Sequence, residues 1–298
     1  LLQTLYHLAG RRLASGKDYE QAERERLAKL MQEARERLPL KIPGEELEAH
    51  FEHLTPRYFR THSLEHINID LTQVNRFLKR VVNGSGSRVL EPVIAWHNQP
   101  ARGHTSVKIC TWDRPGLFTT ISGALAAAGL NILSARVFSR GDGIILDTFL
   151  VVNARTGGLA KRPERDTFKK LITQALLPDE SPEFQTQIDT LAKRGAPAEW
   201  EWPTRIRIDT HSAESRTIIE VESADRLGLL HRISKVLTRH GLSIHVARIS
   251  TEKGAAIDTF YVRTALGKKP TDEALLQQIQ SDLETELSEQ KRDTDFTD

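Results

Sequence analysis

The sequence predicts an α+β protein: an N-terminal helical segment followed by two tandem copies of one four-stranded unit, each read as ββαββα. Three observations carry that prediction. Apolar residues recur at helical spacing as far as Val82. Past Arg88, β-branched runs and glycine-containing turns take over. That second pattern then occurs twice, at an almost constant offset.

The helical part is read in order. Leu1, Leu5, Leu8 and Leu13 fall roughly at helical spacing. Gly16 and Lys17 interrupt, and Asp18 is placed to cap a helix through about Arg37, with Leu27, Leu30, Met31 and Ala34 as its apolar stripe. Pro39, Pro43 and Gly44 break the chain before a short helix from Glu45 to Leu54. Pro56-Arg57-Tyr58-Phe59 reads as a turn with two aromatics. Ser63 caps a helix to about Val82, with Leu64, Ile67, Leu71, Val74 and Leu78 on one face. Asn83-Gly84-Ser85-Gly86-Ser87 reads as a flexible linker and a domain boundary; it lacks the Lys and following helix of a phosphate-binding loop.

The repeat follows. Asp113-Arg114-Pro115-Gly116-Leu117-Phe118 returns as Asp225-Arg226-Leu227-Gly228-Leu229-Leu230. Gly129-Leu130-Asn131-Ile132 returns as Gly241-Leu242-Ser243-Ile244, and Ala135-Arg136 as Ala247-Arg248. These pairs lie 112 positions apart, whereas Asp147-Thr148-Phe149 and Asp258-Thr259-Phe260 lie 111 apart, so one residue is lost in the hairpin between. Each copy opens with a strand (Val107 to Thr111, Ile218 to Val221) and a helix from the glycine turn (Leu117, Ile121, Leu125 on one face; Leu229, Ile233, Leu237 on the other copy's). Gly129 and Gly241 end those helices. Second strands run from Ile132 to Ser139 and Ile244 to Thr251, hairpins turn at Gly141-Asp142-Gly143 and Lys253-Gly254, and third strands cover Thr148 to Val152 and Thr259 to Val262. Helices close each copy, from about Glu164 to Leu176 and Asp272 to Leu287. The polar tail from Lys291 to Asp298 is a poor fourth strand, whereas Val93 to Trp96 and Arg205 to Ile208 precede the two copies at matching offset. Each unit is therefore a ferredoxin-like sheet whose last strand comes first in the chain; the alternative gives the strand near Ile206 to the first unit. The expected domains are residues 1–84, 89–196 and 203–290.

Composition narrows the function. With 42 basic and 40 acidic residues the net charge is +2, which leaves no overall footprint for nucleic acid or an anionic membrane. Cys110 is the single cysteine, so no intrachain disulfide forms and a reduced, cytoplasmic setting fits. No apolar run reaches membrane-spanning length. The chain opens on apolar residues without an initiator Met, which is expected of a fragment. No catalytic or metal-binding residue is assigned. There is no His-Asp dipeptide and no Gly-x-Ser-x-Gly turn, and Cys110 sits on a core strand with no base beside it. His50, His53, His62 and His66 lack metal-ligand spacing and read as surface or interhelix residues; Asp293-Thr294-Asp295 reads as solvated charge.

The candidate ligand residues are the turns and the strands that follow: Asp113, Arg114, Pro115, Gly116, Leu117, Asn131 and Ile132 in the first copy, and Asp225, Arg226, Gly228, Leu229, Ser243 and Ile244 in the second. Gly116 and Gly228 remove a Cβ, so N–H groups at a helix start can approach a carboxylate. Asp113 and Asp225 also read as helix caps, and Asn131 either holds the polar end of an amino acid or anchors a turn. Asp147 and Asp258 read as structural anchors at the hairpins.

The Asp-Arg-Pro-Gly-Leu turn followed by Gly-Leu-Asn-Ile resembles the ACT domain, a fold that senses amino acids, over Arg88 to about Gln290. That resemblance implies a ligand at the joint of two modules, paired within one chain or between chains. With Asp-Thr-Phe in the hairpins, Pro56-Arg57-Tyr58-Phe59 and His62-Ser63-Leu64-Glu65-His66-Ile67, the chain is more closely similar to the C-terminal part of the bifunctional uridylyltransferase/uridylyl-removing enzymes of bacterial nitrogen control. The resemblance implies glutamine as effector, the PII signal protein as partner through the parent enzyme, and magnesium for that parent. This chain lacks the family's paired-Asp transfer motif and its His-Asp hydrolytic motif, so it is expected to sense and not to react; residues 1–37 would be the tail of, or connector from, the hydrolytic domain. Leu227 and Ser243 replace the usual Pro and Asn of the second copy. Two other readings stand beside this one. An ACT tail of an amino-acid biosynthetic enzyme has no reason to carry the helical stretch around Tyr58 and Phe59. An RNA-binding module needs clustered aromatics and a basic face, whereas Phe149 and Phe260 are single and the charge is balanced.

Overall fold

The computed structural model describes residues 16–37, 42–178, 183–193, 202–252 and 254–288. The expectations for Leu1 to Leu13, Pro39, Lys253 and the tail from Lys291 lie outside these residues. The chain divides into two units. One is residues 1–79 with Arg140–Asp142, the other Arg80–Ser139 with Gly143–Asp298.

The first unit holds helices α1 (Gly16–Glu36), α2 (Gly44–His53), α3 (Pro56–Thr61) and most of α4 (Leu64–Asn83). Pro56-Arg57-Tyr58-Phe59 is helical and not the expected turn. Proline at the first helical position sacrifices an N–H that has no intrahelical acceptor anyway, and it pre-sets φ. Burial of Tyr58 and Phe59 then fixes the short helix, with Phe51 stacked on Phe59 at 4.5 Å. Tyr58 Oη donates to Asp70 Oδ2 (2.7 Å) and receives the Nε2 proton of His50 (3.1 Å). The guanidinium of Arg140 meets His50 Nδ1 at 3.3 Å; since it can only donate, it places the imidazole proton on Nε2. His50 is thus a buried interhelix residue, while His66 is exposed.

The second unit holds the repeat. Gly86–Leu90 is a 3-10 turn where the sequence suggested a flexible linker. The first copy has β1 (Val93–Gln99), β2 (His104–Trp112), α5 (Leu117–Ala127), β3 (Leu130–Arg136), β4 (Ile144–Asn153) and α6 (Arg162–Ala175). A short helix α7 (Gln185–Ala192), not foreseen from the sequence, connects to β5 (Arg205–Asp209), β6 (Thr217–Ala224), α8 (Leu229–Arg239), β7 (Leu242–Glu252), β8 (Ala255–Thr264) and α9 (Glu273–Ser288). All pairing is antiparallel, in the orders β1-β2-β4-β3 and β5-β6-β8-β7. Ile206 pairs with Val221, so the strand near it belongs to the second copy and the alternative assignment falls. β3 ends at Arg136, short of the expected Ser139, which makes only an isolated bridge to Ile145. Gly129 and Gly241 follow their helices with φ of +76° and +68°, the left-handed turn that only glycine adopts without cost.

β3 and β7, the free edges of the two sheets, lie side by side, and α5 packs on α8 across the same line. Equivalent residues meet there: Ser122 Oγ lies 3.3 Å from Ser234 Oγ, 112 positions on, which is the signature of two-fold pairing. Thr119 and Thr238 share a hydroxyl bond of 2.8 Å, and His231 Nδ1 donates to the Thr119 carbonyl at 3.0 Å. Gly123 permits the approach: a Cβ there would stand 2.4 Å from Phe184 and 2.7 Å from His231. One apolar core then runs unbroken from Val107 and Ile121 in the first copy to Phe260 and Leu287 in the second.

Asp147 and Asp258 do anchor the hairpins. Both are buried; Asp147 Oδ1 accepts the N–H of Phe138 at 3.2 Å. Burial pushes the Asp147 carboxyl well above its usual range, and burial together with the charge of Asp225 lifts Asp258 to about 8. Between about pH 4 and about pH 8 the unfolded chain has released the Asp258 proton that the folded chain retains, so stability falls as pH rises through that window. Urea midpoints measured from pH 4 to 8 should therefore decline more steeply for the natural chain than for Asp258→Asn; parallel curves would refute the assignment. Gly123→Ala should cost about 1–3 kcal/mol by overpacking the joint, seen as a lower midpoint at constant m-value.

Candidate joint site

The two-fold pairing places each glycine turn opposite the second strand of the other copy. This makes two joints from one repeat, and they differ.

The first joint joins the Asp113–Leu117 turn to β7. Gly116 takes the helix N-cap position with φ +73°, and Leu117 N–H bonds Arg114 O at 3.2 Å. Asp113 is therefore not the cap, and neither is Asp225 in the second copy: a left-handed glycine occupies that position in both, with no side-chain cap. Helix geometry leaves the N–H groups of Phe118 and Thr119 without intrahelical acceptors, facing a cavity of about 270 Å³. Its other wall is Leu242 to His245 of β7, with Thr238 from α8; Val137, Ser139, Ile145 and Asp147 complete it. Asp113 and Pro115 are exposed at its mouth, Leu117 is buried beneath, and Ser243 and Ile244 are half-buried on the far side. The Asp113 backbone N–H is held by Gly143 O at 2.7 Å. Arg114 lines the cavity but sends Nη2 to Leu176 O (2.9 Å), where it neutralises the C-terminal end of α6.

The second joint joins the Asp225–Leu229 turn to β3. The backbone repeats: Leu229 N–H bonds Arg226 O at 3.1 Å, Asp225 N–H bonds Gly254 O at 2.9 Å, and Arg226 Nη2 reaches Leu287 O at 2.9 Å. The interior does not. About 10 Å³ remains, room for a single water at most. Asn131 Nδ2 crosses the joint and donates to Asp225 Oδ2 at 2.9 Å, while Ile132 is buried against the same wall. Burial raises the Asp225 carboxyl above its usual range, and the Asn131 bond pulls it part of the way back. A Cβ on Gly228 would stand 2.6 Å from Ile188 of α7.

All thirteen residues singled out from the sequence thus lie at the joints, seven lining the open one and six the closed one, each set drawn from both copies. His245 was missed. Both second strands carry a β-bulge after the repeat's isoleucine, between Ile132 and Ser134 and between Ile244 and Val246. A bulge re-aims the extra side chain. His245 lines the open cavity, and Leu133 occupies the same place in the repeat. Burial, then the charges of Arg216 and Arg263, lowers the proton affinity of His245, so its ring is neutral near pH 7. Comparison of Leu133 with His245 was the available signal. Among the described residues no group of three or more His, Cys, Asp or Glu could hold a metal ion, and no helix is long and apolar enough to cross a membrane.

Two family models agree with this architecture. The ACT-domain family model matches residues 105–162, and the model for the ACR family N-terminal ACT domain matches residues 212–290. The bifunctional uridylyltransferase/uridylyl-removing enzyme of Azospirillum brasilense is 36% identical over 61% of this chain and 20% of its own length. That of Gluconobacter oxydans is 33% identical over 63% of this chain and 20% of its own. The chain spans about a fifth of the length of the curated relatives it matches. Among solved structures, an aspartate kinase from Synechocystis aligns over 63% of this chain and 27% of its own at 13% identity, with a TM-score of 0.34. The chain therefore carries a tandem ACT region, and its sequence relatives are the bifunctional uridylyltransferase/uridylyl-removing enzymes.

Proposed function

We propose that the open joint is an effector site for L-glutamine, and that the chain is the sensing part of an enzyme that attaches UMP to the PII signal protein and removes it. The observation that carries this reading is the contrast between the joints. In the closed one a carboxamide, that of Asn131, donates across the gap to the carboxylate of Asp225. In the open one the corresponding residues are Ser243 and Asp113, and Ser243 brings no carboxamide. A ligand with a side-chain amide supplies the same group to Asp113. Its α-carboxylate suits the N–H groups of Phe118 and Thr119 at the start of α5. Glutamate would instead set a carboxylate against Asp113, a like-charge contact that discriminates against it. The neutral ring of His245 offers one donor and one acceptor beside that amide. A cavity of about 270 Å³ fits an amino acid better than a nucleotide, for sites of drug-sized ligands run from about 300 Å³ upward.

Under this reading glutamine prefers one arrangement of the ACT pair and catalytic domains, and shifts the enzyme from transfer toward removal by population. Transfer and hydrolysis, with their magnesium, belong to other parts of the enzyme, in the cytoplasm.

Titration calorimetry of the chain with L-glutamine, against glutamate, serine, phenylalanine and UTP, tests the assignment. Glutamine alone should saturate, and Gly116→Val should abolish binding in a chain that still melts cooperatively. Ser243→Asn should weaken glutamine about 10- to 100-fold, because the new carboxamide satisfies Asp113 internally with a charge-assisted bond. Saturation by another of these ligands in place of glutamine sinks the glutamine assignment.

A further inference from the structure

One repeat yields two joints, and α7 is an α-helix with no counterpart among the described residues of the second copy. This helix lies against the closed joint and is fastened to both of its helices. Gln187 Nε2 donates to Ala127 O at 2.8 Å, at the end of α5. Arg232 Nη2, on α8, donates to Asp189 Oδ1 at 2.8 Å, and Gln185 Nε2 braces the same carboxylate at 2.7 Å. Just before α7, Phe184 is buried with its ring edge-on to His231 at 5.9 Å. Between these fastenings the buried side chain of Ile188 sits over Gly228, the residue whose missing Cβ gives access to the second turn. The counterpart glycine, Gly116, faces only a methyl of Thr238 at 3.3 Å.

We propose that α7 is a built-in plug. It holds the second joint closed, and that joint is a latent site for the same class of ligand as the open one, an α-amino acid with a side-chain carboxamide. The inference rests on the reading of the open joint as an amino-acid site. The physical case is a competition. The turn of the second joint presents the same backbone as the first: a left-handed glycine, helix-start N–H groups of Leu230 and His231 without intrahelical acceptors, and a carboxylate three positions before the glycine. α7 covers that backbone with an apolar side chain, and Asn131 occupies the carboxylate. Undocking α7 exposes the glycine turn, and a ligand there still has to displace Asn131 from Asp225, so it binds more weakly than at the open joint. The linker between the two modules thereby sets how many effectors one chain takes.

The test compares the chain with Ile188→Ala, which removes the apolar contact, and with Gln187→Ala/Asp189→Ala, which releases the polar fastenings and leaves Ile188 in place. Calorimetry with L-glutamine should give one equivalent per natural chain and a second, weaker equivalent in both variants. Hydrogen exchange should show the amides of Leu230 and His231 protected in the natural chain and at least about tenfold faster in both variants. A single equivalent with unchanged exchange, in variants that melt cooperatively, overturns the plug and leaves the reading of the open joint standing. Failure of the natural chain to bind glutamine overturns that reading instead. The exchange data then decide the plug alone: faster exchange in the variants retains it, and unchanged exchange refutes it.

Discussion

The close approach of α5 and α8 at Gly123 is the constraint on which the tandem pair depends. Two small α/β units of this kind each expose an edge strand and one flank of a helix. Left uncovered, β3 and β7 would be exposed edges, a known route to wrong pairing. Setting the helices in contact brings those edges together and merges two cores into one, so the apolar surface of each module is covered by the other. The polar atoms on the seam, from Ser122, Ser234, Thr119, Thr238 and His231, are matched with one another, so the burial leaves none of these bonds unmade. Any larger residue at 123 would collide with Phe184 and His231, and one of them would have to shift.

Two-fold pairing makes the joints equivalent in backbone, so their difference has to come from side chains. Three differences between the copies suffice, two of them substitutions. Asn131 reaches Asp225, whereas Ser243 is one bond shorter and leaves Asp113 at the mouth of a cavity. The bulged position carries Leu133 in one copy and a neutral histidine in the other. The third difference is α7, which lies on the second turn only. The arrangement couples specificity to asymmetry: the residues that fill one joint describe by their own chemistry what the other lacks.

The larger part of this was written in the sequence, because it depended on residues whose backbone demands are strong. The repeated Asp-Arg-x-Gly turns, the helix-ending Gly129 and Gly241, and the β-branched runs specified the strand order and both joints. What escaped depended on tertiary context. Pro56–Thr61 is helical because Tyr58 and Phe59 are buried, and the proline ahead of them suits a helix start as well as a turn. Asp113 looked like a cap because its type and position suit one, but a left-handed glycine moved the helix start three residues on. The bulges that aim His245 leave no local mark, since alternation of apolar and polar residues survives on either side. α7 was invisible for a similar reason: eight residues are too short for periodicity to assert itself, and its role lies in where it lands.

On the proposed reading of the open joint as an effector site, having one such joint per chain limits the response. Cooperativity needs two sites that bias a shared equilibrium, and a single site gives a hyperbolic response whatever its affinity. A ligand shifts a two-state balance only by its differential affinity, and moving from 1:99 to 99:1 requires about 5.5 kcal/mol of it. One carboxamide bond to a carboxylate and two N–H bonds to another, at roughly 1.5–3 kcal/mol for each charge-assisted contact, reach that figure only if nearly all are made in one arrangement and lost in the other. The first turn supplies Asp113 and the N–H groups, and the facing wall, Leu242 to His245, comes from the other module. A shift of β7 against that turn removes the facing contacts and admits water, which weakens the bonds to the first turn together. A site enclosed within one module would keep most of its contacts in both arrangements and would bind without switching.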